Sequence, residues 1–168
     1  MALSTFDASV PVLIRALGNL GAILDKAAAS AEARKIDPAV LIAARLAPDM
    51  FPLSRQVQIA SDTAKRGAAM LAGVEVPSWP DTESSFAELK ARVAKTVAFL
   101  ETLKSDQFNG AEARTIALNV GGGEIKLSGA AYLFNFVLPN LFFHVATAYA
   151  ILRQNGVDLG KRDFLGGA

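Results

Sequence analysis

The residues best able to do chemistry lie close together near the C-terminal end. Asn140, His144 and Thr147 fall at i, i+4 and i+7, so a helix carrying them aligns all three on one stripe of an otherwise apolar surface. His144 is the only histidine in the chain. A buried amide or imidazole without a partner costs on the order of 1–3 kcal/mol, so another helix or water must supply partners. Gln56, Asp49 and Thr63 are the candidates. Two readings follow: a polar ligand pocket with His144 as acid, base or metal ligand, or a buried histidine satisfied by hydrogen bonds alone. Zinc sites recruit three or four ligands, and one histidine with no cysteine leaves only carboxylates, amides and water to complete the set. His144 is therefore the only histidine ligand on offer. No cofactor is expected, and a weakly held divalent metal is the alternative.

Other chemistries find less support. No Gly-x-Ser-x-Gly elbow accompanies His144, and nothing in the sequence places Ser54 or Ser61 against it. Glu83 with Glu88, and Asp158 with Asp163, sit where solvated faces or tails are expected. Gly121-Gly122-Gly123 lies between two strand-like runs and reads as a turn rather than an anion cradle. Trp79, flanked by prolines, reads as a plug at one end of the fold or as a pocket lid. The tail Lys161-Arg162-Asp163-Phe164-Leu165 offers two apolar anchors that either dock on their own domain, the favoured reading, or meet a partner.

The elements that must position these residues are mostly helices. Val10, Leu13, Leu17, Leu20, Leu24, Ala27 and Ala31 form one apolar stripe, with Ser9 as the expected cap, Pro11 in the first turn, and Arg15, Asn19, Ala22 and Lys26 on the wetter side. Asp37-Pro38 opens a short helix that ends by Pro48. Asp49 is then expected to cap a second long helix with Pro52 in its first turn and Leu53, Val57, Ala60, Ala64 and Leu71 on its core face. Gln56 and Thr63 lie beside that face. Arg55, Asp62 and Arg66 lie opposite, with Asp62 and Arg66 expected to pair. Ser85 and Glu88 form a capping box for a third helix whose core residues are Phe86, Leu89, Val93, Val97 and Leu100. Thr115–Val120 and Glu124–Leu127 alternate as a hairpin, with Ile116, Leu118 and Val120 on one side. Ser128 opens the last helix, which Pro139 is placed to bend and Asn155-Gly156 to stop.

A chain of 168 residues suits one domain, residues 1–168, of the all-α class: about four long helices, a short extra helix and a small β-hairpin before the last helix. Seventeen basic against sixteen acidic side chains give no field to attract nucleic acid or an anionic membrane. With no cysteine and no basic-then-apolar leader in Met1 to Val10, the expectation is a cytoplasmic protein. The stretch between Lys126 and Arg153 carries no formal charge and is long enough to span a bilayer. Asn135, Pro139, Asn140 and His144 within it favour a bundle helix instead, and no other segment reads as a second span. Phe134, Phe136, Leu138, Leu141, Phe142 and Phe143 exceed what one core face needs, which predicts a homodimer unless the hairpin and tail cover the surplus.

Asn140-Leu-Phe-Phe-His144, followed by Ile151-Leu152-Arg153-Gln154-Asn155-Gly156-Val157, resembles the last helix of the DinB/YfiT-like superfamily, where His-x-x-x-His precedes Leu-Arg and a glycine. Together with Asp7-Ala8-Ser9-Val10-Pro11, Asp49-Met50-Phe51-Pro52-Leu53 and Lys161-Arg162-Asp163-Phe164, the whole chain is similar to a bacterial family of unknown function within that superfamily of four-helix-bundle metalloenzymes. The resemblance implies an often dimeric bundle. Its better-known relatives bind a divalent metal through three histidines, and some are thiol-dependent transferases or isomerases. Here His144 matches the second histidine of the motif, Asn140 replaces the first, and Gln56 is the candidate for the second-helix position. The expectation is therefore a DinB-like bundle that keeps the ancestral pocket as a small-molecule site without a tight metal. The alternatives are an enzyme using His144 with Asn140 and a carboxylate such as Asp49, and a purely structural dimer.

Overall fold

The computed structural model describes residues 3–167, apart from the side chain of Val120. In chain order the elements are α1 (Thr5–Ala33), α2 (Pro38–Ala43), α3 (Leu53–Ala72), α4 (Phe86–Thr102), a 3-10 turn (Ser105–Phe108), β1 (Thr115–Val120), β2 (Gly123–Ser128), α5 (Gly129–Gln154) and α6 (Lys161–Leu165). Helices α1, α3, α4 and α5 form the bundle, and one continuous apolar cluster runs between them. The α1 residues Leu13, Leu17, Leu20 and Leu24 meet Leu53, Val57 and Leu71 of α3, Leu89 and Leu100 of α4, and Leu133 and Leu141 of α5 there.

The start of α1 differs from the sequence expectation. Ser4, not Ser9, is the cap, its hydroxyl accepting from Asp7 N at 3.1 Å, and Ser9 lies buried inside the helix donating to Thr5 O at 2.6 Å. Pro11 is therefore well past the first turn. Its ring denies Asp7 a backbone donor, a loss tolerated because both residues lie on the exposed side. The next cap also differs. Pro52 occupies the N-cap of α3 with no side-chain hydrogen bond, and Asp49 sits exposed in the preceding turn. A carboxylate three residues upstream of the N-cap is too far back to reach the free N–H groups of the first turn. Asp37 and the Ser85–Glu88 capping box hold α2 and α4 as expected.

The hairpin pairs Ile116 with Leu127 and Leu118 with Ile125, turning through Gly121 and Gly122 at φ 60° and 85°. Those positive angles suit a two-residue hairpin turn of glycines. Ile116 and Leu118 are buried, Ile125 is exposed, and the expected facing of Val120 falls outside the described side chains. Ser128 caps α5, accepting from Ala131 N. Five residues later the helix widens into a π turn, Leu133–Val137, where Leu138 N reaches back to Leu133 O. Pro139 follows directly. A proline cannot donate and clashes with the carbonyl four residues earlier, and the extra residue of a π turn relieves that crowding while rephasing the helix just before Asn140.

Two helices are long and apolar enough to cross a membrane by length and composition, α5 with mean hydropathy 1.4 and also α1 with 1.3, which corrects the expectation of a single such segment. The hydropathy of α1 reflects its fully buried inner stripe. Its outer side, expected to be wet, receives the tail. Arg15 donates to Leu165 O, Asn19 donates to Phe164 O at 3.0 Å, Lys26 pairs with Asp163 at 2.7 Å, and Phe164 packs edge-on against Tyr149.

Candidate functional site

The interface of α3 and α5 brings together four of the polar residues singled out in the sequence. Gln56 Oε1 and His144 Nδ1 lie 2.7 Å apart, both residues buried. Seven residues further along α3, Thr63 Oγ1 accepts from Asn140 Nδ2 at 2.8 Å. These pairs repeat because residues one turn or two apart on each helix face the same neighbour.

The amide of Gln56 fixes the state of the imidazole. Its Nε2 donates to Phe51 O at 3.0 Å, so its Oε1 must be the atom turned to His144. A carbonyl oxygen only accepts, so Nδ1 carries the proton and Nε2 keeps a lone pair. Burial, followed by the nearby positive charge of Arg55, pushes His144 below the ordinary histidine range and favours this neutral form. Phe143 stands edge-on to the imidazole at 5.2 Å.

Thr147 and Asp49 do not join the site. Thr147 Oγ1 donates to Phe143 O of its own helix at 2.7 Å, and Asp49 is exposed in its turn with no side-chain hydrogen bond to the described residues. The other candidates are committed elsewhere. Ser61 bonds buried Thr96 at 2.7 Å, Glu88 caps α4, and Asp163 accepts from Gly160 N.

A metal does not suit this donor set. Among the described residues no three of His, Asp and Glu converge. Asn140 presents an N–H to Thr63, and Gln56 Oε1 accepts the His144 N–H, so both amides are hydrogen-bonded to protein. His144 Nε2 and Asn140 Oδ1 keep free lone pairs, two donors where a tight site needs three or four.

Asn140 opens onto a cleft of about 190 Å³ lined by Asp62, Thr63, Arg66, Leu118, Asn119, Tyr132, Phe136 and Asn140. Helix α3 supplies the cation and hydroxyl, α5 the amide and the aromatic wall, and the hairpin the remaining side. Tyr132 and Phe136 stack with ring centres 5.8 Å apart, one helical turn from each other across the π segment. Burial pushes the Tyr132 phenol up to about 12, so it stays protonated, and its hydroxyl contacts Met70 Sδ at 3.5 Å.

Asp62 does not pair with Arg66, contrary to the i, i+4 expectation. Its carboxylate binds Lys65 Nζ at 2.7 Å and Arg92 Nη2 at 2.9 Å. Arg92, buried on α4, also holds Asp81 at 2.8 Å, Glu83 at 2.9 Å and Pro80 O at 3.1 Å. This knot pins the proline-rich loop against α3 and α4. Trp79 closes over it with Lys65 Nζ and Lys95 Nζ 4.3 and 4.5 Å from its ring centre, and it does not line the Asn140 cleft. Trp79 lines surface pockets beside Arg92 and Lys65, on the flank of the bundle. The sequence signal for the knot was a charged residue, Arg92, inside the apolar stripe of Leu89, Val93 and Thr96.

The fold is shared with a crystal structure of a DinB family member from Shewanella denitrificans, 44% identical, covering 97% of this chain and 92% of that one with a TM-score of 0.92. No curated protein matches the sequence. Residues 5–165 match the model of a domain of unknown function, DUF1993, and the chain belongs to that family.

Proposed function

We propose that this DinB-like bundle is a small-molecule-binding protein whose site is the cleft beside Asn140, and that it works without a tightly bound metal. The observation that carries the reading is Asn140 itself, which occupies the first motif position of the last helix. Its Nδ2 is fixed by Thr63, its Oδ1 takes no hydrogen bond from the described residues, and the residue lines the cleft. A positioned polar group beside an aromatic wall is the usual composition of a small-ligand site. The volume is below the roughly 300–1,000 Å³ of pockets for drug-sized ligands, so the ligand is small.

The test joins elemental analysis of protein purified without chelator to a fragment screen read through assigned backbone amides. The reading expects well under one equivalent of zinc or nickel, and fragments that shift the amides of Thr63, Asn119 and Asn140. One metal per chain, or fragments that move only residues elsewhere, overturns it.

A second reading has its own observation, the lone pair on His144 Nε2, which at neutral pH is a competent general base. That reading makes the protein an acid–base enzyme, and an Asn140→Leu variant separates the two by removing ligand binding while leaving the imidazole in place. The same proposal extends to association: the exposed phenylalanines of α5 support a homodimer.

A further inference from the structure

The polar groups around the cleft are unevenly matched. Thr63 Oγ1 uses a lone pair on Asn140, which leaves its O–H to donate, and Asn140 keeps a second N–H on Nδ2. Arg66 adds up to five N–H donors and a full charge, and it forms no ion pair among the described residues. The carboxylate on the same rim, Asp62, is neutralised by Lys65 and Arg92. Glu124, opposite Asn119 in the hairpin, lies 3.5 Å from Lys126. Against these donors stands the free Oδ1 of Asn140, so donors still outnumber acceptors, and one positive charge is uncompensated.

The rest of the wall is flat and apolar. Tyr132 is buried with its hydroxyl turned to Met70, and Phe136, 36% exposed, stacks on its ring at an interplanar angle of 19° and supplies the accessible aromatic surface. Arg66 lines the same cleft, and its charge opposes the effect of burial on the Tyr132 phenol.

From this we propose that the cleft takes a small monocarboxylate with a planar apolar body, held by Arg66 at the carboxylate and by Phe136 along the body. The inference rests on the small-molecule reading above and specifies its ligand class. A guanidinium fork matches two carboxylate oxygens, and one uncompensated cation suits a monoanion better than a phosphate dianion. A single six-membered ring with one carboxylate is the size of body that about 190 Å³ admits.

Benzoate and benzamide share a shape and differ in charge, which makes them the discriminating pair. In amide-resolved titrations, benzoate should shift Thr63, Arg66 and Asn140 and bind several-fold tighter than benzamide. Arg66→Gln should weaken benzoate about tenfold while changing benzamide less than about twofold, and raised salt should narrow the wild-type gap. Arg66 is exposed, so the variant's unfolding midpoint should match the wild type and its fold is not at risk. Phe136→Ala should weaken both ligands. If benzamide equals benzoate, or if Arg66→Gln leaves benzoate unchanged, the carboxylate assignment is wrong and the cleft remains a binding site. If neither compound nor any neutral fragment shifts those amides, the binding reading falls with it.

Discussion

At the residue scale the centre of the account is the Gln56–His144 pair. Removing one member leaves the other buried without a partner, so Gln56→Leu should cost about 1–3 kcal/mol, and His144→Leu a similar amount. Replacing both with apolar side chains should cost less than the sum of the two, and chemical denaturation of the four proteins measures the difference. A pH dependence follows from the same geometry. His144 is held below the ordinary histidine value of 6.5, so between its folded value and 6.5 the unfolded chain binds more protons. Its contribution to stability is complete above 6.5 and is lost as the pH falls from there toward the folded value. With a single histidine in the chain, this slope should vanish in His144→Leu, and a slope that persisted would assign it elsewhere. The i, i+4 spacing of Asn140 and His144 made their shared face legible from the sequence, and Gln56 and Thr63 could be named because they flank the apolar stripe of α3. Asp49 and Thr147 could not be sorted out, since a turn carboxylate's reach and a threonine's choice of its own carbonyl depend on geometry. Arg66 stayed hidden because a neighbour four residues away looked like its partner, while the actual partners of Asp62 were Lys65 and Arg92, the latter thirty residues downstream.

At the element scale the site depends on how closely α3 approaches α5. Gly67 has no side chain where a Cβ would stand 2.5 Å from Val137 Cγ1, and Val137 is fully buried in the π turn. Gly67→Ala gains about 1 kcal/mol of helix propensity, whereas overpacking costs typically 1–3 kcal/mol. Because Val137 is branched and enclosed, the upper part of that range applies and the variant should be less stable by about 1–2 kcal/mol. A thermal melt showing equal or higher stability would mean that the helices part easily there. Pro139 announced an irregularity in α5, yet its form, a π turn that precedes the proline, was not legible. The same holds for α1, where Pro11 suggested a start five residues too late because a proline in the interior of a helix is indistinguishable, in sequence, from one at its beginning.

At the scale of the whole molecule, the surplus of apolar residues on α5 is only partly covered. The tail shelters one side, where Phe142 shares a groove with Val12, Phe164 and Leu165. Phe134 and Phe143 remain 54% and 55% exposed, and Phe51, near the Gln56–His144 pair, is 55% exposed as well. Burying a phenylalanine across a two-fold axis gains roughly 1.5–3 kcal/mol, so light scattering should report about twice 17.7 kDa at micromolar concentration. Phe143→Glu should return the mass to that of one chain, and a wild type that stays monomeric on concentration would remove the dimer from the proposal.

The helical order, the hairpin and the docked tail could be read from stripes, caps and turn residues, because each depends on neighbours close in sequence. The cleft could not, since its wall joins α3, the hairpin and α5 from residues far apart. The proposal that this bundle binds an organic ligand rather than a metal is tested most directly on the one histidine. Long-range ¹⁵N spectroscopy of His144 should show Nδ1 protonated and Nε2 bare near neutral pH, with both signals unmoved by one equivalent of zinc at about 100 μM, since a lone imidazole is a weak ligand. Stoichiometric loss or displacement of the Nε2 signal at that point would contradict the account and restore a metal to the site.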